Sequence, residues 1–203
     1  MADRPLRADA QRNRERILEV SLRAFSEGGA DVSLDAIARK AAVGSGTLYR
    51  HFPTREALVE AVYHNERARL CDLAGELLAT VAPREALRGW MEGFLHYART
   101  KLGLADALGA LIARGKDPYE HSRARILAAL TEVLEAAIAE KGIRDDIAPS
   151  DVLTSLSGIA LASTDSEQHE RLLGLLMDGL RPQRCRVAKT VRATMPKAPV
   201  RAS

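Results

Sequence analysis

The amino-acid sequence predicts an all-α chain, on three observations. Nearly every segment carries apolar residues at the helical period, and no alternating run of β-branched residues is bounded by hairpin turns. Helix start and stop signals also recur along the chain, with Ser33, Thr54, Pro83 and Pro149 at starts and Gly28, Gly142 and Pro182 at or after stops.

The elements follow in order. Asp9 is expected to cap a first helix with Ile17, Ser21, Ala24 and Phe25 on one face, and Gly28-Gly29 to end it. Ser33 caps a second helix with Leu34, Ile37, Ala38 and Ala41 as its buried stripe, and Ala42-Val43-Gly44 forms a tight turn. A short helix spans 45–52 and must end at Pro53, which removes a backbone donor and clashes with the preceding turn. Thr54 caps a fourth helix running through Leu70 towards Leu78, with Glu56 complementing its dipole. Pro83 fits the first turn of a fifth helix, and a further apolar segment covers 102–112. After the polar break RGKDP at 114–118, a long amphipathic helix is expected over 119–141, stopping at Gly142. Pro149 opens the next helix, over 152–162, and STDSE caps the last, which ends near Leu180. Residues 181–203 are basic, contain proline and lack periodicity, and are expected to be disordered.

Composition is that of an ordinary globular protein, with 46% hydrophobic and 28% charged residues in 203. No apolar run is long enough to span a membrane, and the N-terminus MADRPLRADAQRNRER is charged where a signal peptide would be apolar. A soluble, cytoplasmic chain without membrane contact is therefore expected. The net charge of +3 is uneven: residues 1–62 hold 10 Lys/Arg against 9 Asp/Glu, 63–180 hold 13 against 18, and 181–203 hold 7 against none. Because the basic excess lies in the tail, a case for nucleic acid has to rest on local placement.

Catalytic and metal chemistry have no foothold in the motifs. His51, His64, His96, His121 and His169 have no metal-ligand spacing, and Cys71 and Cys185 are isolated. No phosphate-cradling glycine motif occurs, and GSG at 44–46 lacks the frame of a nucleophile elbow. Asp117, Glu120 and His121 read as a loop and helix cap. No catalytic residue, metal or cofactor is expected.

The short helix is the distinctive feature. At about 100° per residue, Leu48 and Phe52 share one side, Gly46 and Arg50 the other, with Thr47 and His51 at one edge and Tyr49 at the opposite edge. Two apolar anchors thus hold a helix whose outward face offers an arginine, hydroxyls, an imidazole and an open glycine. Joined to the preceding helix by a short turn, it completes a helix-turn-helix of the kind whose second helix enters the DNA major groove. The alternative is a surface helical hairpin inside an ordinary bundle.

VSLDAIARKAAVGSGTLYRHFPTREALVEAV, residues 32–62, closely resembles the DNA-binding domain of TetR-family transcriptional repressors, including the GTLYxHF core, and the likeness extends over roughly residues 10–65. The resemblance implies that Ser45, Gly46, Thr47 and Arg50 read operator bases, arginine pairing best with guanine. It implies phosphate contacts for Tyr49 and His51 and an approach to the backbone by Arg55, with Ser33 in the same DNA-facing set. His51 could instead support Tyr49 or the helix end, and Arg4, Arg7, Arg12, Arg14 and Arg16 either lie along DNA as an arm or form a solvated face. Two residues depart from the family pattern: Ala42 stands where glycine is favoured, and Gly44 where a capping serine is, leaving Ser45 or Gly44 itself to cap the helix.

The remaining chain should dimerise, sense something, or both. REALRGWMEGFLHYARTKLGLADAL and SRARILAAL resemble the SbtR-like C-terminal subset of the same family. Trp90, Phe94 and Tyr97 share a helix face and are either core or pocket wall; the resemblance implies a ligand cavity, with Leu104, Leu108, Leu111 and Tyr119 as further wall candidates and a largely apolar effector. Small residues Ser155, Gly158 and Ala162 interleave with leucines in the penultimate helix, and the last helix has a wide apolar face from Leu172, Leu173, Leu175, Leu176 and Leu180. A four-helix bundle made by two such hairpins would bury that face, which resembles the homodimer clasp of the TetR family; packing within one chain is the alternative. The expected organisation is a helix-turn-helix three-helix DNA-binding domain at 1–62, a larger helical ligand-binding and dimerisation domain at 63–180, and a basic tail at 181–203. The expected function is a homodimeric repressor that binds a palindromic double-stranded operator and is released by a small-molecule effector. A small helical enzyme using the aromatic cavity and a helical adaptor are the alternatives.

Overall fold

The computed structural model describes residues 3–28, 32–115, 117–163 and 165–182. Among them are nine helices and no strand: α1 Asp3–Gly28, α2 Leu34–Lys40, α3 Ser45–His51, α4 Arg55–Leu78, α5 Pro83–Gly103, α6 Ala105–Ala113, α7 Ser122–Ala139, α8 Pro149–Ala162 and α9 Ser166–Gly179. Most expected caps hold. The side chains of Ser33, Thr54 and Asp165 accept from the N–H groups of Ala36, Ala57 and Gln168, satisfying donors that the first helical turn leaves open.

α1, α2, α3 and the first half of α4 enclose an N-terminal core of Ile17, Phe25, Ile37, Leu48, Phe52 and Leu58. α4 then continues into a larger C-terminal bundle, where α4, α5 and α7 pack on one another, α8 packs on α5 and α7, and α9 packs on α8 and α5. Trp90 lies at the bundle's centre, fully buried, with its indole N–H donating to the Leu70 carbonyl at 3.0 Å. Gly93 lets α5 approach α4 closely, since a Cβ there would stand 2.6 Å from Leu73 Cδ2.

Several boundaries differ from the expectation. α1 begins at Asp3, so Asp9 sits inside the helix and pairs with Arg12 instead of capping. The segment expected over 102–112 divides: α5 continues to Gly103, and α6 starts one residue after Leu104. The helix expected over 119–141 starts at Ser122, because His121 has φ 57 and turns the chain out of the helical region. It ends at Ala139, ahead of the stop expected at Gly142, and Lys141 takes the left-handed region at φ 59. The division expected at residue 62 falls inside α4, which passes through it without a break. The disorder expected beyond Pro182, Cys185, Gly29 and the side chains of Arg4 and Arg7 lie outside the described residues.

Ala42, in the turn between α2 and α3, has φ 51. An L-residue in this region brings Cβ against its own carbonyl, a strain glycine does not have, and glycine's greater freedom in the unfolded chain offsets only part of the relief. Ala42→Gly is therefore expected to stabilise the protein by about 0.5–1 kcal/mol, read as an increase in the thermal or urea midpoint.

Candidate DNA-reading helix and ligand cavity

α3 is held from beneath and from the side. Leu48 is fully buried and Phe52 nearly so, and Ser45 Oγ donates to Asp35 Oδ1 at 2.8 Å, tying the start of α3 to the start of α2. The open capping question resolves in favour of Gly44: it is the N-cap, with extended backbone and no side-chain cap, while Ser45 makes the interhelical link. Ser45, Gly46, Tyr49 and Arg50 are exposed, Thr47 and His51 are half-buried, and a Cβ built at Gly46 meets nothing within 4 Å. The outward face expected from the helical angle is thus present and open to a close partner.

Two members of the expected DNA-facing set hold internal posts. Ser33 is exposed, but its hydroxyl oxygen accepts from Ala36 N–H at 3.2 Å as the α2 cap. Arg55 donates to the Val32 carbonyl, and its guanidinium lies 5.1 Å from the Phe25 ring centroid, joining the start of α4 to α1 and the α2 entry. Arg14 similarly lies over Phe52 at 5.5 Å, so this arginine of α1 packs against α3's anchor. His51 stands beside Phe52, with ring centroids 6.1 Å apart.

A cavity of about 410 Å³ opens among α4, α5, α7 and α8. Phe94, Tyr97 and Tyr119 line it, and Tyr63 of α4 joins them. Tyr119 meets the Tyr63 ring edge-on at 5.5 Å, and Tyr97 donates a 2.9 Å hydrogen bond to Tyr63 Oη. Burial, followed by that hydrogen bond, pushes the Tyr97 phenol well above its ordinary pKa, so it stays neutral. Lys101 and Leu102 at the end of α5, Ser122, Arg123 and Ile126 on α7, and Leu153, Ser157, Ala160 and Leu161 on α8 complete the wall.

Trp90, Leu104, Leu108 and Leu111 correct the expectation: all four are buried, yet none lines the cavity. Trp90 stands behind Phe94, its ring stacked at 6.0 Å and its N–H bound to α4, while α6 packs its leucines into the core beside α4 and α5. The shared helical face of Trp90, Phe94 and Tyr97 is therefore part core and part wall. Tyr63 escaped the sequence reading because its spacing within α4 matches ordinary core residues; only the fold brings it to Tyr97.

Below the cavity, α4 carries a buried polar group. Arg67 donates to Ser122 Oγ at 2.7 Å and lies 3.3 Å from His64 Nδ1. Desolvation first, then the neighbouring arginine, lowers the His64 pKa, so a neutral imidazole faces the guanidinium. At the near end of α4, Glu56 pairs with Arg114, which follows α6 directly. Its carboxyl lies below the usual range, chiefly through the hydrogen bond with its own backbone N–H and also through Arg114. Among the described residues, no group of three or more His, Cys, Asp or Glu could hold a metal ion, and no helix is long and apolar enough to cross a membrane.

A two-helix unit presenting an anchored, outward-facing short helix, followed by a larger helical domain, defines a helix-turn-helix transcriptional regulator. The family model for bacterial regulatory proteins of the tetR family matches residues 17–62, and that for the transcriptional regulator SbtR-like C-terminal domain matches 82–182. A TetR transcriptional regulator of Streptomyces coelicolor is 55% identical, with a TM-score of 0.80 over 84% of this chain and 99% of its own. A TetR regulatory protein of Mycobacterium vanbaalenii is 40% identical, with a TM-score of 0.74 over 87% of this chain and 99% of its own. The HTH-type transcriptional regulator UidR of Escherichia coli K12 is 38% identical over 65 residues, which span 32% of this chain and only 33% of UidR. The chain belongs to the TetR family of transcriptional regulators and is not an enzyme.

The placement of Trp90 separates core from wall. Trp90→Ala is expected to cost about 3–5 kcal/mol of stability, whereas Leu102→Ala, at a wall residue 48% exposed, should change the unfolding midpoint little; chemical denaturation of both variants provides the comparison.

Proposed function

We propose that this protein is a cytoplasmic homodimeric repressor that binds a palindromic double-stranded DNA operator through α3 and releases it when a small, largely apolar effector fills the cavity. The observation that carries this reading is the course of α4. It begins at the Thr54 cap, three residues after α3 ends, and presents Tyr63 to the cavity wall two turns later. A ligand against Tyr63 therefore bears on the helix that follows α3 directly in the chain and packs on α1, which in turn packs on α3. The Glu56–Arg114 pair adds a second tie from α6 to the first turn of α4.

Operator affinity depends on matching the two reading helices to major grooves about 34–36 Å apart. An effector that binds better to a spacing outside that match shifts the population towards the released state. Arg50 is the base reader, with Ser45, Gly46 and Thr47 beside it, while Tyr49 and His51 contact phosphates. Ser33 and Arg55 belong to the same DNA-facing set; the internal contacts of Arg55 favour a positioning role. The DNA-binding unit occupies 1–62, the effector and dimerisation unit 63–180, and the tail follows from 181.

The outer face of α8 and α9 supports the homodimer. Leu161 and Leu175 are 74% and 68% exposed, Ser155, Gly158 and Ala162 are exposed beside them, and Leu172 and Leu176 are half-buried. Two copies of this hairpin would bury these leucines in a four-helix bundle, the small residues allowing close approach.

Sequencing genomic DNA fragments retained by the purified protein is expected to yield a palindromic motif; recovery of no enriched sequence would reject the operator reading. On that motif, Arg50→Ala should lose about 1–3 kcal/mol of binding and relax preference at one position in each half-site, measured by equilibrium titration against base-substituted duplexes. Leu161→Glu with Leu175→Glu should shift the protein from dimer to monomer in analytical ultracentrifugation and weaken operator binding, while its helical signal remains.

A further inference from the structure

One end of the cavity is positively charged, and among the described residues no acidic one lines it. Lys101 Nζ lies 4.3 Å from the Tyr119 ring centroid and forms no ion pair among the described residues. The ring face partly offsets its lost hydration, but desolvation still lowers its pKa with no carboxylate to restore it. Ser122 is buried at the first position of α7, and its N–H donates to the Tyr119 carbonyl at 2.9 Å, which sets it beside the same turn. Its Oγ accepts from Arg67, leaving the hydroxyl proton without an acceptor among the described residues.

Arg67 itself is only 6% exposed, its Nε has no hydrogen-bond partner, and among the described residues no carboxylate pairs with it. Arg123, the next residue of α7, stands exposed at the rim and likewise forms no ion pair among the described residues. The N-cap of α7, His121, makes no side-chain cap, and the first turn holds no acid, so the helix dipole adds positive potential at this end. The other end is apolar: Phe94 lies two turns before Lys101, about 10 Å along α5, opposite Leu153 and Ala160 of α8.

A buried arginine and a half-buried lysine without carboxylate partners among the described residues are unfavourable, and a bound anion would relieve this arrangement. We propose that the cavity selects an amphipathic organic anion, its apolar body against Phe94, Tyr97 and Leu153 and its carboxylate or equivalent anionic head at Lys101 and Ser122. Arg67 acts through Ser122, holding the hydroxyl oxygen so that the hydroxyl proton faces the head group. This inference rests on reading the cavity as the effector site and adds the charge of the effector to its apolar body.

A matched pair of fluorescent probes tests it: 1-anilinonaphthalene-8-sulfonate and N-phenyl-1-naphthylamine, the same ring system without the sulfonate, titrated into the full chain. The sulfonate should bind at least about tenfold more tightly. Lys101→Met should bring the two affinities to within about twofold of each other, whereas Lys101→Arg, and Arg171→Gln with the same charge loss on α9, should keep the preference. Equal affinities in the unmutated protein, or a preference that persists in folded Lys101→Met, would overturn the charge selection while leaving an apolar effector site standing. Binding of neither probe by the folded protein would overturn the cavity reading itself, and this inference with it.

Discussion

The structure depends on one continuous helix that runs through the whole length of a shared core. α4 spans 24 residues, about 36 Å at 1.5 Å per residue, without a proline or a break. Leu58, Val59 and Val62 are buried at the N-terminal end, where α4 packs on α1, and Leu70 and Ala74 are buried where it packs on α5 and α7. An unbroken hydrogen-bonded helix transmits a tilt or shift along its length, whereas a loop at the same place would absorb it. α3 ends just before this helix, and the cavity includes Tyr63 from its first half.

At the DNA-reading end, few residues do the holding. α3 has seven residues and rests on Leu48, Phe52 and the Ser45–Asp35 hydrogen bond, leaving most of its surface to solvent. Isolated helices of that length are unstable in water, so tertiary anchors supply its order. Arg55 and Arg14 serve this framework from beside it, one through the Val32 carbonyl and Phe25, the other over Phe52. The left-handed Ala42 belongs to the same economy: the turn keeps its shape because the anchored helices on either side outweigh a local strain of about 1–2 kcal/mol.

At the other end the bundle leaves a space that it does not fill. Trp90 closes the core behind Phe94, while the rings of Phe94, Tyr97, Tyr63 and Tyr119 form a wall braced by edge contacts and a phenol–phenol hydrogen bond. Rings held this way resist collapse into the cavity, because shifting one breaks contacts with its neighbours. Polar groups gather at the turn before α7, where the backbone leaves the helical region at His121 and presents Ser122 and Arg123 together. This turn thus contributes part of the cavity's wall and part of its positive charge, with Lys101 of α5 facing Tyr119 across it.

The sequence by itself determined the helical class, the caps at Ser33, Thr54 and Asp165, the stop at Pro53, and the outward face of α3. These are local matters: capping needs a side chain within three residues of a free amide, and a helical face follows from angular spacing alone. It also carried the family, since the GTLYxHF stretch lies within one continuous segment. Tertiary structure alone decided which aromatic residues bound empty space. Trp90 and Phe94 occupy the same helical face, and only the depth of packing against Leu70 makes one core and the other wall. Tyr63 and Tyr97 are 34 residues apart, and Arg67 and Ser122 are 55 apart. No periodicity within a helix encodes those meetings; they follow from how α4, α5 and α7 pack, because the walls of a cavity belong to several helices at once.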